Sequence, residues 1–143
     1  MTEIRYAREA DQSAVVMLWQ RCGLIDDAGA AVADVTLKLQ RQPELFWVAE
    51  LDGRIIATVM AGFDGHRGWI YRLATDPDHQ HAGHARTLMQ QAEDALRALG
   101  CSKLNLQIRG DNETVKGFYE GLGFSEEDRI SMGKRLTTSN AEP

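Results

Sequence analysis

The chain has 143 residues, 43% hydrophobic and 26% charged, with a formal net charge of −5; that length fits one domain with a sizeable core and is short for two. The acidic balance argues against nucleic acid, which is held by clustered cations that displace counterions, and suits a cationic amine instead. No apolar run nears the ~20 residues that span a bilayer, so no membrane partner is expected.

The N-terminal residues lack a basic segment leading into an apolar stretch, which sets a cytoplasmic expectation. Residues 3–7 suit a first strand, and Asp11 suits the N-cap of a helix carrying Val15, Leu18, Trp19 and Cys22, ended by Gly23. A second helix is expected over 31–40 from Val32, Val35 and Leu39, with Asp26-Asp27-Ala28-Gly29 before it as a loop. Residues 45–51 and 54–63 are β-rich runs joined by Asp52-Gly53, a pair suited to a tight hairpin. Gly65 and Gly68 mark the next turn, before a strand over 69–75.

A helix from Gly83 would bury Ala85, Leu88, Met89, Ala92, Leu96 and Leu99, with Gly100 as its stop. Residues 103–109 alternate as a strand. Asn112 then caps a helix bearing Val115, Phe118, Tyr119 and Leu122, and a final hairpin is expected from Phe124 onward. Residues 1–136 read as a single domain and 137–143 as a polar, flexible tail. Cys22 and Cys101 lie far apart beside helix-like apolar residues and are expected as buried free thiols rather than a disulfide.

The segment Gln80-His81-Ala82-Gly83-His84-Ala85 joins the 69–75 strand to the longest amphipathic helix. Small residues at alternate positions let backbone N–H groups approach a ligand, and a helix N-terminus favours negative charge there, so the turn is suited to phosphate. Downstream, Asn112 and Tyr119 stand seven residues apart, close to two helical turns, and so share one side of their helix. Gly123-Phe124 follow.

These segments resemble the GNAT superfamily of acyl-CoA-dependent N-acetyltransferases, whose phosphate loop reads Gln/Arg-x-x-Gly-x-Gly/Ala; Pro77, Gln80, Gly83 and Ala85 match. The run Gly62-Phe63-Asp64-Gly65-His66-Arg67-Gly68-Trp69 is similar to that of the YpeA-like branch, related to ribosomal-protein alanine N-acetyltransferases. The resemblance implies an α/β (α+β) GNAT fold: a central mixed, mostly antiparallel, splayed sheet of six to seven strands flanked by four helices. It implies acetyl-CoA as cosubstrate and a primary amine of a peptide or small molecule as acceptor. Leu73, Ala74 and Thr75 would pair with the pantetheine arm, and Gln80, His81, Ala82, Gly83, His84, Ala85 and Arg86 would hold the diphosphate. Asn112 would lie on the arm and Tyr119 near the sulfur as general acid. An amide near Leu73 would bind the thioester oxygen as charge develops on it.

The base is a departure from that pattern. Related alanine acetyltransferases carry a glutamate where this chain has Gln107, which accepts no proton at neutral pH. An α-amine of pKa near 8 is roughly a tenth neutral at pH 7, and a lysine amine near 10.4 is neutral in fewer than about one molecule per thousand. Weakly basic acceptors therefore need the base least. Asp64, His66 and Glu50 are substitute candidates, each also readable as structural or solvent-exposed.

His81 stands where the loop usually has glycine, and His84 where it usually has an aliphatic residue. His79, His81 and His84 beside Asp76 and Asp78 raise a metal reading, but no third partner or geometry supports one, so no metal is expected. Asp26 and Asp27 replace the acceptor segment common in the branch. A non-catalytic or weakly active acyl-CoA-binding regulatory module is the alternative function. A dinucleotide fold fits poorly, because the turn follows a meander of strands rather than opening a βαβ unit. The oligomeric expectation is monomer or homodimer.

Overall fold

The computed structural model describes residues 1–137. These fall into two units, one covering Met1–Gln107 and the other the described residues from Ile108 onward. The tail expected over 137–143 lies, Thr137 apart, outside the described residues.

In the first unit the β-rich runs pair into one sheet in chain order: β1 (Thr2–Tyr6), β2 (Phe46–Leu51), β3 (Arg54–Phe63), β4 (Gly68–Thr75) and β5 (Leu104–Asn105). The first four are antiparallel neighbours and β5 runs parallel to β4. Short connections set this order. Asp52 and Gly53, at φ of 51° and 78°, make the β2–β3 turn, since two positive φ values match the twist of paired strands. The next turn is closed by Asp64, whose carboxylate accepts from the amides of His66 and Arg67 at 2.7 and 2.8 Å.

Three helices belong to this unit: α1 (Gln12–Arg21), α2 (Ala28–Arg41) and α3 (His84–Ala98). Val15, Leu18 and Trp19 of α1 and Ala31 and Val35 of α2 form one buried cluster with Phe46, Val48, Met60 and Ala74 of the sheet. Leu88, Met89, Ala92 and Leu96 give α3 its buried stripe. Full burial of such side chains stabilises the fold by about 1.5–3 kcal/mol each, which is what holds the helices on the sheet. The second unit contains α4 (Glu113–Gly121), capped by Asn112, whose side-chain oxygen accepts the Val115 amide at 3.1 Å.

Several expectations need correction. The second helix begins at Ala28, inside the stretch read as loop, because the Asp27 carboxylate accepts from the amides of Gly29 and Ala30 and caps it. Its buried stripe then runs through Ala31 and Val35, leaving Val32 exposed. The strand expected over 103–109 is Leu104–Asn105 alone, since its ladder with β4 is limited to Gly68 and Trp69. Alternation without a paired neighbour does not make a strand.

For the same reason the described residues after α4 form no hairpin. Ile130, Met132 and Leu136 alternate with polar neighbours yet are each 90% exposed, and the described sheet has five strands, not six to seven. Leu99 is exposed rather than on the α3 stripe, and Ala85 is half-buried. Cys22 and Cys101 are free thiols, as expected, but only partly buried.

Candidate functional site

β4 pairs with β3 along most of its length but with β5 only through Gly68 and Trp69, so among the described residues its second edge from Ile70 to Thr75 has no strand against it. Leu73, Ala74 and Thr75 lie on this stretch. An unpaired edge presents amides and carbonyls to any extended ligand that can act as a strand. At its end the chain is fixed by Asp76, whose amide donates to the Ile56 carbonyl at 2.7 Å.

The Asp76 side chain is 2% exposed and accepts from the Asp78 amide at 2.8 Å and from Arg21 at 2.5 Å. Burial raises its pKa, but the Asp78 amide and the Arg21 guanidinium outweigh that and hold the carboxyl below the usual range. A buried charge so satisfied pins the short 3-10 turn Pro77–His79, and with it the entry to the loop that follows.

That loop, Gln80 to Gly83, is exposed. His81 has φ of 65°, in the left-handed region that costs a residue with a Cβ. Gly83, at φ of 86°, is the N-cap of α3; it supplies no capping side chain, and the first turn carries no acidic residue. The first helical bond runs from the Thr87 amide to the Gly83 carbonyl at 3.0 Å. The amides of His84, Ala85 and Arg86 thus precede the intrahelical ladder and sit at the positive end of the macrodipole. Such an end is chemically disposed to hold an anion. His84 and Thr87 also line, with Thr2, Ile4 and Ala49, a cavity of about 200 Å³.

In the second unit, Asn112 and Tyr119 stand at the N-cap and in the last turn of α4. The Tyr119 ring makes edge contacts with Phe118 and Phe124, centroids 5.2 and 5.7 Å away. Burial pushes its hydroxyl up to about 12. It is therefore protonated at neutral pH.

The substitute bases are largely occupied. Glu50 accepts from Arg5 at 2.8 Å, and Arg5 also binds Asp11 at 2.8 and 3.0 Å. Asp64 is the acceptor of its own turn, and the two amides it binds, those of Arg67 and His66, hold its carboxyl below the usual range. His66 and Gln107 are exposed. Among the described residues no three metal-capable side chains converge.

Sequence reading gave no role to Arg72, Thr58 or Lys38. Arg72 has φ of 54° at a β-bulge in β4 and is bound through its carbonyl by buried Thr58. Lys38 donates to the carbonyl of Ala61 and to Gln42, and burial lowers its ammonium to about 8. Neither the positive φ nor the buried ammonium leaves a mark in residue type or spacing.

Residues 6–124 match the model of the acetyltransferase (GNAT) family. The chain belongs to this family. An acetyltransferase of Yersinia pestis is 43% identical over 134 residues, covering 94% of this chain and 95% of its own length. Among solved structures, a PaiA N-acetyltransferase from Thermoplasma acidophilum in complex with coenzyme A has the same fold, with a TM-score of 0.79 at 19% identity over 91% of this chain and 93% of its own. A ribosomal-protein alanine N-acetyltransferase from Escherichia coli has a TM-score of 0.75 at 24% identity, covering 89% and 79%. As a GNAT member the chain is an N-acetyltransferase that draws its acetyl group from acetyl-CoA. No described helix is long and apolar enough to cross a membrane.

Proposed function

We propose that this GNAT protein moves the acetyl group directly from acetyl-CoA to a primary amine of a peptide or small molecule, within a ternary complex. The observation that carries this reading is the start of α3: amides outside the helical ladder, an N-cap without a side chain and a first turn without acid. Gln80, His81, Ala82, Gly83, His84, Ala85 and Arg86 form the diphosphate turn. Leu73, Ala74 and Thr75, on the open edge of β4, pair with the pantetheine arm, and Asn112 supports that arm.

The amine lone pair attacks the thioester carbonyl, the oxygen gains charge opposite the Leu73 amide, and the C–S bond breaks as the amide forms. The departing thiolate takes the Tyr119 hydrogen bond. With the hydroxyl pushed up to about 12, full transfer of its proton to a thiolate of pKa near 8.5 is uphill. Tyr119 therefore works by donating to developing charge, and the ammonium proton released by the amine balances the thiolate.

α-Amines are the acceptors of choice, because Gln107 supplies no base and such amines are partly neutral at pH 7. Because Gln107 supplies no base, the alternative is a weakly active chain that serves mainly as an acyl-CoA-binding module. Free-thiol release from acetyl-CoA over a panel of peptide N-termini, lysine peptides and polyamines separates the two. Release that depends on an α-amine is expected. Donor binding without release from any amine would favour the binding module.

A further inference from the structure

We infer that Thr58, held by Trp19, is a positioning residue for acetyl transfer: it fixes the Arg72–Leu73 peptide so that the Leu73 amide stays aimed at the thioester oxygen. This rests on the acetyl-transfer reading above and adds residues to it.

Thr58 and Trp19 are both 0% exposed. The Trp19 indole N–H donates to the Thr58 hydroxyl at 2.9 Å, and that hydroxyl donates its one proton to the Arg72 carbonyl at 2.8 Å. A hydroxyl has one proton to give, so the indole's donation leaves that proton directed at the carbonyl. The chain indole, hydroxyl, carbonyl therefore has a single polarity.

The carbonyl lies at a break in the ladder. Thr58 pairs with Ala74 and Met60 with Tyr71, so Arg72 and Leu73 together oppose Val59. Tyr71 pairs with Met60, which packs among the α1 and α2 core residues, while the Arg72 guanidinium carbon stands 5.0 Å over the Trp19 ring. Consecutive side chains thus share one face, as a bulge requires.

Arg72 adopts φ of 54° there. Left-handed backbone on a residue with a Cβ persists only where its surroundings impose it. Here its side chain is held as well, by donation to the Leu24 carbonyl and to Asp34, each at 3.2 Å.

No peptide bond among these residues is cis. In a trans peptide the carbonyl and the next amide point in opposite directions. Turning the Arg72 carbonyl toward Thr58 and α1 therefore turns the Leu73 amide away from them, out of the usual ladder direction. A donor held in place before charge develops needs no reorganisation when it does.

The test uses the full chain carrying Thr58→Val, which keeps shape and deletes the hydroxyl, Thr58→Ser, which restores it, and Trp19→Phe, which removes the donor behind it. Each is measured for CoA affinity, for kcat and KM with a peptide α-amine, and for the infrared carbonyl band of bound carbonyl-13C acetyl-CoA. Losing an oxyanion donor costs roughly 10²–10³ in turnover, and a misaimed one is expected to cost about tenfold or more in kcat in Thr58→Val.

KM for acetyl-CoA and CoA affinity should stay within about twofold, the pattern of a contact that is weak in the ground state and strengthens as charge develops in the transition state. The carbonyl band should move toward its position in free acetyl-CoA, and Thr58→Ser should recover both readouts. If Thr58→Val does not fold, Trp19→Phe against Thr58→Ser carries the comparison. Unchanged kcat and band in the folded variants would overturn the inference, as would loss of CoA affinity in step with kcat. A wild-type protein that binds neither CoA nor acetyl-CoA removes the acetyl-transfer reading and the relay with it.

Discussion

His81 combines a positive φ with a place in the proposed diphosphate turn. The left-handed conformation costs a residue with a Cβ about 1–2 kcal/mol, and glycine gives back about 0.5–1 through the freedom it loses on folding. His81→Gly should therefore hold or slightly raise the melting temperature and leave CoA affinity within about twofold, since strain carried both with and without ligand cancels from binding. Weaker CoA binding in a calorimetric titration would show that the imidazole itself contacts phosphate. Tyr119 differs, because its proposed role lies in a hydroxyl rather than a backbone angle. Tyr119→Phe is expected to lower kcat by about 10²-fold with CoA affinity held, the scale of a lost acid or donor. Because burial places that hydroxyl near 12, the wild-type kcat profile should show no fall from Tyr119 between pH 7 and 10. A descending limb in that window that disappears in Tyr119→Phe would contradict this.

At the scale of elements, β1 is tied to the entry of α1 by Arg5, which binds Asp11 and Glu50 with side-chain exposures of 17%, 10% and 28%. The Arg5 hydrogen bond, against burial, holds the Asp11 carboxyl below the usual range. A depressed carboxyl contributes stability that is complete above its unfolded pKa, about 3.9, and is lost as pH falls through the folded value. Denaturant titrations of Asp11→Asn should show lower stability at pH 7 and a flatter decline below about pH 4 than wild type. Parallel acid limbs would assign that decline to other groups, Asp76 foremost.

Elements were legible where pattern and punctuation agreed. The Asp52-Gly53 hairpin, the β3 run and the Leu88–Met89–Ala92–Leu96 stripe all follow from period and turn residues. The start of α2 was missed because an aspartate before alanine and glycine resembles a loop until its carboxylate is seen capping two amides. Residues 106–109 and the run beyond Phe124 carry strand-like alternation, but a strand also needs a neighbour, which composition does not supply.

For the whole molecule, the parts of the site that lie in consecutive residues were readable and those made by packing were not. Gly83 and Ala85 mark the proposed turn by residue type, and Gly83 stands as the N-cap of α3 with no capping side chain. The Trp19–Thr58–Arg72 chain joins α1, β3 and β4, residues separated by 39 and 14 positions, and no local spacing encodes it. Isothermal titration of the wild-type protein with CoA, run beside pantetheine, which lacks the diphosphate, tests the central claim most directly. Saturable binding of one CoA per chain, with pantetheine weaker by about 10²-fold or more, is expected from a helix end that grips the diphosphate. Equal affinity for the two, or no saturable heat from CoA, would contradict it.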